Sequence, residues 1–92
     1  MMQEEINELI AKAEAGDAEA QNKLGGCYAK GEGVAQDYAK SLYWCTKAAE
    51  QGLAKAQTNL GSCYYFGRGV VQDYTKAVYW YKKAAEQNLR VA

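Results

Sequence analysis

Proline and histidine are both absent from this 92-residue chain. Without proline, nothing in the sequence forbids long helices. Without histidine the chain lacks the commonest general base and metal ligand, and Ser-His or Cys-His nucleophilic pairs cannot be built. Excess charge is missing too. Eleven basic residues balance 11 acidic ones, which removes the electrostatic footprint of a nucleic-acid binder. No apolar run is long enough to cross a bilayer, so no membrane partner is expected. The 3 cysteines show no C-x-x-C spacing and zinc would find no imidazole, so neither metal nor cofactor is expected. The acidic start, M-M-Q-E-E-I-N-E, is unlike the basic beginning of an export signal. The chain as given is therefore expected in the cytoplasm by default, and in the periplasm only as a processed fragment.

What the chain does have is an internal echo. Shifted by 36 residues, positions 20–53 lie over 56–89 with 21 of 34 pairs identical, far above chance. The identical pairs include Leu24/Leu60, Gly25/Gly61, Cys27/Cys63, Tyr28/Tyr64, Gly31/Gly67, Gly33/Gly69, Val34/Val70, Asp37/Asp73 and Trp44/Trp80. A period of this length signals stacked supersecondary units.

Each unit reads as a helix pair. Ala20, Leu24, Cys27, Tyr28 and Gly31 recur at helical spacing, which predicts a helix A over 18–30 with Asp17 as N-cap and Gly31 as left-handed C-cap. Asp37 is the expected N-cap of a helix B running to Gln51, with Tyr38, Ser41, Leu42, Cys45, Ala48 and Ala49 inward and Gly52 as the stop. The second unit gives a helix A over 54–66 and a helix B over 73–87, with Asn88 in the stop position of Gly52. Ile6, Leu9, Ile10 and Ala13 predict a further helix over 3–15 that ends at Gly16, a degenerate helix B acting as a cap. The expected architecture is all-α, a solenoid of five antiparallel helices. Its parts are a capping helix (1–16), two repeats (17–52 and 53–88), and the truncated start of another helix A (89–92).

The pattern A-x-x-x-L-G-x-x-Y-x-x-G-x-G-V-x-x-D-x-x-K-A-x-x-W-Y-x-K-A-A-E-Q-G resembles the Sel-1-like repeat family of tetratricopeptide-like α-solenoids, over residues 16–92. Ser41, Cys45 and Asn88 depart from it, standing where an alanine, an aromatic and a glycine are usual. The resemblance implies a scaffold or adaptor that holds other proteins, of a kind found in bacterial envelope, signalling and host-interaction proteins and in endoplasmic-reticulum quality control. A cysteine-rich branch of the family has been assigned β-lactam binding or hydrolysis, with a cysteine pair eight residues apart bridging helices. The corresponding places are Ala49 and Gln57 or its neighbours, which carry no cysteine. An enzyme of that sort is not expected.

The loop Y-A-K-G-E-G-V-A-Q-D-Y, residues 28–38, carries a G-x-G that could cradle a phosphate. A phosphate loop follows a strand, whereas this one follows a helix and recurs as G-R-G-V-V-Q-D-Y, so it reads as an interhelix turn. Val34 and Val70 are expected to tuck inward while Glu32 and Arg68 face solvent. Cys27 and Cys63 fall on successive A helices, about 8–10 Å apart and beyond the roughly 7 Å Cα limit of a disulfide. They read as small buried hydrophobes, and Cys45, which the echo aligns with Tyr81, as an inward position open to partial exposure. Glu4, Glu5 and Glu8 suit a solvated helix N-terminus, and Trp44 and Trp80 suit packing anchors.

The copies disagree along one stripe of helix A: Glu19/Lys55, Asn22/Thr58, Lys23/Asn59, Gly26/Ser62, Ala29/Tyr65 and Lys30/Phe66. These positions fall at i, i+3, i+4, i+7, i+10 and i+11, opposite the identical face. A stripe free to vary is not expected to fix the stacking. By resemblance to tetratricopeptide-like repeats it lines the concave groove, where a protein or peptide segment would lie. Adjacent Tyr65 and Phe66 at positions expected to be wet favour binding. The alternative is a self-assembling unit, paired end-to-end or by helix swapping through an uncovered edge at Val78, Tyr81 and Ala85.

Overall fold

The structure, a computed structural model, describes residues 2–91, and side chains for residues 2–87. Aspartates start three of its helices. Asp17, Asp37 and Asp73 each accept the backbone N–H three residues ahead, from Ala20, Lys40 and Lys76, at 3.0–3.1 Å. Glycines stop the A-type helices. Gly31 and Gly67 both adopt the left-handed conformation, at φ 74° and 68°, and return their N–H groups to Cys27 and Cys63. Between these signals run α1 (Gln3–Glu14), α2 (Ala18–Lys30), α3 (Tyr38–Glu50), α4 (Ala54–Phe66) and α5 (Tyr74–Val91). No strand interrupts them among the described residues.

Each helix packs chiefly on the next in sequence, and the shortest extent, 18 Å, matches two helix layers. Two apolar clusters form the core. Ile6, Ala13, Ala20, Leu24 and Cys27 gather under Trp44; Ala48, Ala49, Ala56 and Leu60 gather under Trp80. The two tryptophans thus serve as packing anchors, as their place in the echo suggests. Val34 is half-buried against the first cluster, and Val70 is half-buried as well, while Glu32 and Arg68 are exposed.

The turn glycines fit the loops onto the preceding layer. A Cβ at Gly33 would lie 3.4 Å from the Ile6 side chain, and one at Gly69 would collide with the Tyr38 carbonyl. Shifts of 36 residues relate Ile6, Leu42 and Val78, and likewise Ala13, Ala49 and Ala85. The structure treats these triplets as one series. Ile6, Ala13 and Ala49 are fully buried and Leu42 half-buried, whereas Val78 and Ala85 are exposed.

Three expectations need correction. Tyr38 is 42% exposed rather than inward, because it occupies the first turn of α3, and the Gln36 side chain reaches its hydroxyl at 3.5 Å. Asn88 does not stop the last helix, and α5 runs on to Val91. Gly52 leaves the helix at φ 96°, where a helical glycine would cost about 1 kcal/mol; asparagine has less to lose by staying helical. Residues 89–91 therefore extend α5 instead of opening a new helix, and Ala92 lies outside the described residues. Cys45, finally, is only 3% exposed, because its sulfur rests on Gly25.

Candidate protein-binding groove

Helical spacing carries the variable stripe onto the face of α2 and α4 that the two core clusters leave free. The residues there surround two cavities. One, of about 480 Å³, is lined by Glu19, Asn22, Lys23 and Lys55 together with Leu9, Lys12 and Asp17. The other, of about 320 Å³, lies between the repeats and is lined by Gly26, Ala29, Lys30, Asn59 and Ser62, with Tyr38, Ser41, Cys45, Cys63 and Arg68. Thr58, Tyr65 and Phe66 line neither. All three are exposed, Tyr65 at 44% and Phe66 at 57%.

The two aromatics form a cluster at the far end of α4. Their rings meet edge-on at 4.9 Å, and Tyr65 also approaches Tyr74 at 5.1 Å. The Arg68 guanidinium covers the Phe66 ring at 4.9 Å. Sequence reasoning missed Tyr74, which is exposed and belongs to the first turn of α5. Two further exposed aromatics of the B helices, Tyr43 and Tyr79, carry the ammonium groups of Lys47 and Lys83 over their rings.

Part of the variable stripe does fasten the layers. Asn59 Nδ2 donates to Asn22 Oδ1 across 2.9 Å, joining α4 to α2, and Ser62 Oγ lies 2.9 Å from the Tyr81 hydroxyl. Of the expected edge residues, Val78 and Ala85 are open, while Tyr81 is half-buried with its ring against Gly61.

All three thiols are buried. Burial pushes each above its ordinary value, and Cys45, which also feels Cys63, is pushed up to about 11. Thiols held neutral in this way are poor nucleophiles. Among the described residues no cluster of His, Cys, Asp or Glu could hold a metal ion, and no helix is long and apolar enough to cross a membrane.

Known proteins agree with this architecture. The Sel1 repeat family model matches residues 18–53 and 54–89. A crystal structure of a protective antigen present in uropathogenic Escherichia coli strains, displaying an SLR fold, is 45% identical with a TM-score of 0.87. That match covers 89% of this chain and 18% of the antigen. A Sel1 repeat protein from Oxalobacter formigenes is 43% identical with a TM-score of 0.88, over 94% of this chain and 35% of the other. The chain thus spans about a fifth to a third of the solved proteins it resembles. No curated protein matches it. Sel1 repeats are generally helical, non-catalytic modules of protein–protein interaction. With two such repeats end to end, this chain belongs to the Sel1 repeat family.

Proposed function

We propose that the chain is a non-catalytic scaffold module that binds an acidic protein segment along the face of α2 and α4. The observation that carries this reading is the convergence of the variable stripe on one face. Nine of its twelve positions line the two cavities, and the exposed Tyr65 and Phe66 stand beside them. Wet aromatics beside shaped clefts are what interaction hot spots are made of. Charge supports an acidic occupant. Lys12, Lys23 and Lys55 border the larger cavity, Lys30 and Arg68 the smaller, and Asp17 and Glu19 are the acidic residues in the two linings. Peptides selected from a random display library, titrated against the chain, test the reading. Affinity should fall at least about tenfold in Phe66→Ala or Tyr65→Ala and weaken with added salt. Selected peptides that bind all variants equally would move the site elsewhere.

A second reading rests on the exposure of Val78 and Ala85. Their counterparts one and two units earlier are covered by a following layer, which supports association through this edge. Light scattering over a concentration range distinguishes it.

A further inference from the structure

The cavity between the repeats has a specific origin. At three positions around it the first unit is smaller than the second, although Ser41, which stands for Ala77, is larger. Cys45 stands for Tyr81, Gly26 for Ser62 and Ala29 for Tyr65. In the second unit the corresponding space is filled by the chain itself. There the Tyr81 ring lies across Gly61, 2.8 Å from where a Cβ would be, and its hydroxyl meets Ser62 Oγ at 2.9 Å. In the first unit the Cys45 sulfur takes the ring's place over Gly25, and beyond it nothing lies within 4 Å of a Cβ at Gly26. What is missing is one phenol.

Resting on the groove reading above, we infer that this cavity is a subsite for a tyrosine side chain presented by an acidic partner segment. Its volume of about 320 Å³ is at the small end of ligand sites, the scale of one side chain plus its solvent margin. Its floor is the sulfur of Cys45 and the small residues Gly26 and Ala29, which suit an aromatic face. Ser41, Asn59 and Ser62 offer hydrogen-bonding groups for a phenolic hydroxyl, which rarely enters a protein unpaired. The lining holds Lys30 and Arg68 and no acidic residue, so carboxylates flanking the tyrosine are favoured. The chain's own second unit shows the occupant; the first unit leaves it to the partner.

The test uses the ¹⁵N-labelled full chain and two kinds of probe. With p-cresol, the tyrosine side chain without its backbone, the amides of Gly26, Ser41, Cys45 and Ser62 should shift together and saturate. With an acidic peptide carrying one central tyrosine, affinity should exceed that of its alanine counterpart by about tenfold. The chain with Cys45→Tyr and Gly26→Ser copies the packing already present in the second unit; it should fold, lose the p-cresol shifts and bind both peptides alike. Gly26→Ser alone, which leaves the sulfur in place, should weaken p-cresol without abolishing it, and guards against a failure of the double variant to fold. Absence of p-cresol shifts in the unsubstituted chain overturns the subsite. Equal binding of the two peptides, weakened by Phe66→Ala, also overturns it but leaves the groove standing. p-Cresol binding with neither peptide bound overturns the partner segment as occupant and the groove with it. Shifts of the same amides with protein concentration alone, without probe, would assign the cavity to a second copy of the chain and overturn the proposal.

Discussion

Gln51 Nε2 donates to Gln21 Oε1 across 2.8 Å, and Gln21 passes its own amide hydrogen to the Ala13 carbonyl at 3.0 Å. The same group of Gln51 reaches the Gly16 carbonyl, so one side chain at the end of α3 ties together α2, its entry turn and the end of α1. The second unit repeats every bond: Gln87 to Gln57 and Gly52, and Gln57 to Ala49. Gln21 is buried, and its replacement would leave the Ala13 carbonyl with the Gly16 N–H alone and the Gln51 amide with the Gly16 carbonyl alone, each one bond short. Gln21→Leu should therefore destabilise by about 0.5–1.5 kcal/mol. In a domain of this size that lowers Tm by several degrees, readable by circular dichroism. A neutral effect would show that water replaces the network at no cost.

Two adjacent glycines in α2 should respond in opposite directions. A Cβ at Gly25 would lie 2.6 Å from the Cys45 sulfur and 3.2 Å from the Ser41 carbonyl, where the two helices cross. One at Gly26 meets nothing within 4 Å. Gly25→Ala should cost about 1–3 kcal/mol through forced separation of α2 and α3. Gly26→Ala should gain about 0.5–1 kcal/mol from helix propensity, while narrowing the cavity above Cys45. Denaturant midpoints at constant m-value measure both. Destabilisation by both substitutions would mean that the stacking tolerates no side chain on this face.

The helix boundaries were legible in the sequence because caps and period agree. Asp17, Gly31 and Asp37 punctuate the same helices that the apolar spacing of Leu24, Cys27 and Tyr28 implies, and residues 18–30 and 54–66 are helical as expected. The polar fastening was not legible. Gln21 and Gln57 look like solvated helix residues in one dimension, and only the meeting of three helices buries them. Asn22 and Asn59 vary with their echo partners and still bond across layers, since their pairing runs between units at a register the 36-residue shift does not align. The cavity was hidden for a related reason. Gly26 and Cys45 lie on different helices, and each replacement taken singly is unremarkable.

The thiols make stability fall in alkali. Burial raises all three above the ordinary value of 9.0, with Cys45 at about 11. The unfolded chain gives up these protons first, so it binds fewer of them than the folded chain between the two values. The Cys45 contribution is whole below pH 9 and is lost as pH rises through about 11, and those of Cys27 and Cys63 fall in the same direction. Chemical denaturation at pH 8 and pH 10 should show the loss, and a chain with all three cysteines changed to alanine or serine should show less of it. Alkylation runs parallel. At pH 8 the Cys45 thiol, pushed up to about 11, is held protonated, so iodoacetamide should label the folded chain slowly and the unfolded chain at all three positions. Rapid labelling of folded Cys45 would mean that the helix crossing opens readily.

Val78 is the place to ask whether the chain assembles. It is 56% exposed, although its counterparts Ile6 and Leu42 are covered by the loop and helix of the following layer. Ala85, the counterpart of buried Ala13 and Ala49, is open beside it, so the pair presents an apolar edge of the kind solenoids usually cover. Two copies facing one another through this edge would bury both residues twice, as an isologous dimer. On that reading, scattering mass rises with concentration for the unsubstituted chain and stays monomeric for Val78→Glu with Ala85→Glu. The double variant removes little packing within one copy, so its Tm at low concentration should match that of the unsubstituted chain within the effect of a surface change, about 0.5 kcal/mol. A chain that remains monomeric at high concentration removes assembly and leaves the proposed groove as the reading to test.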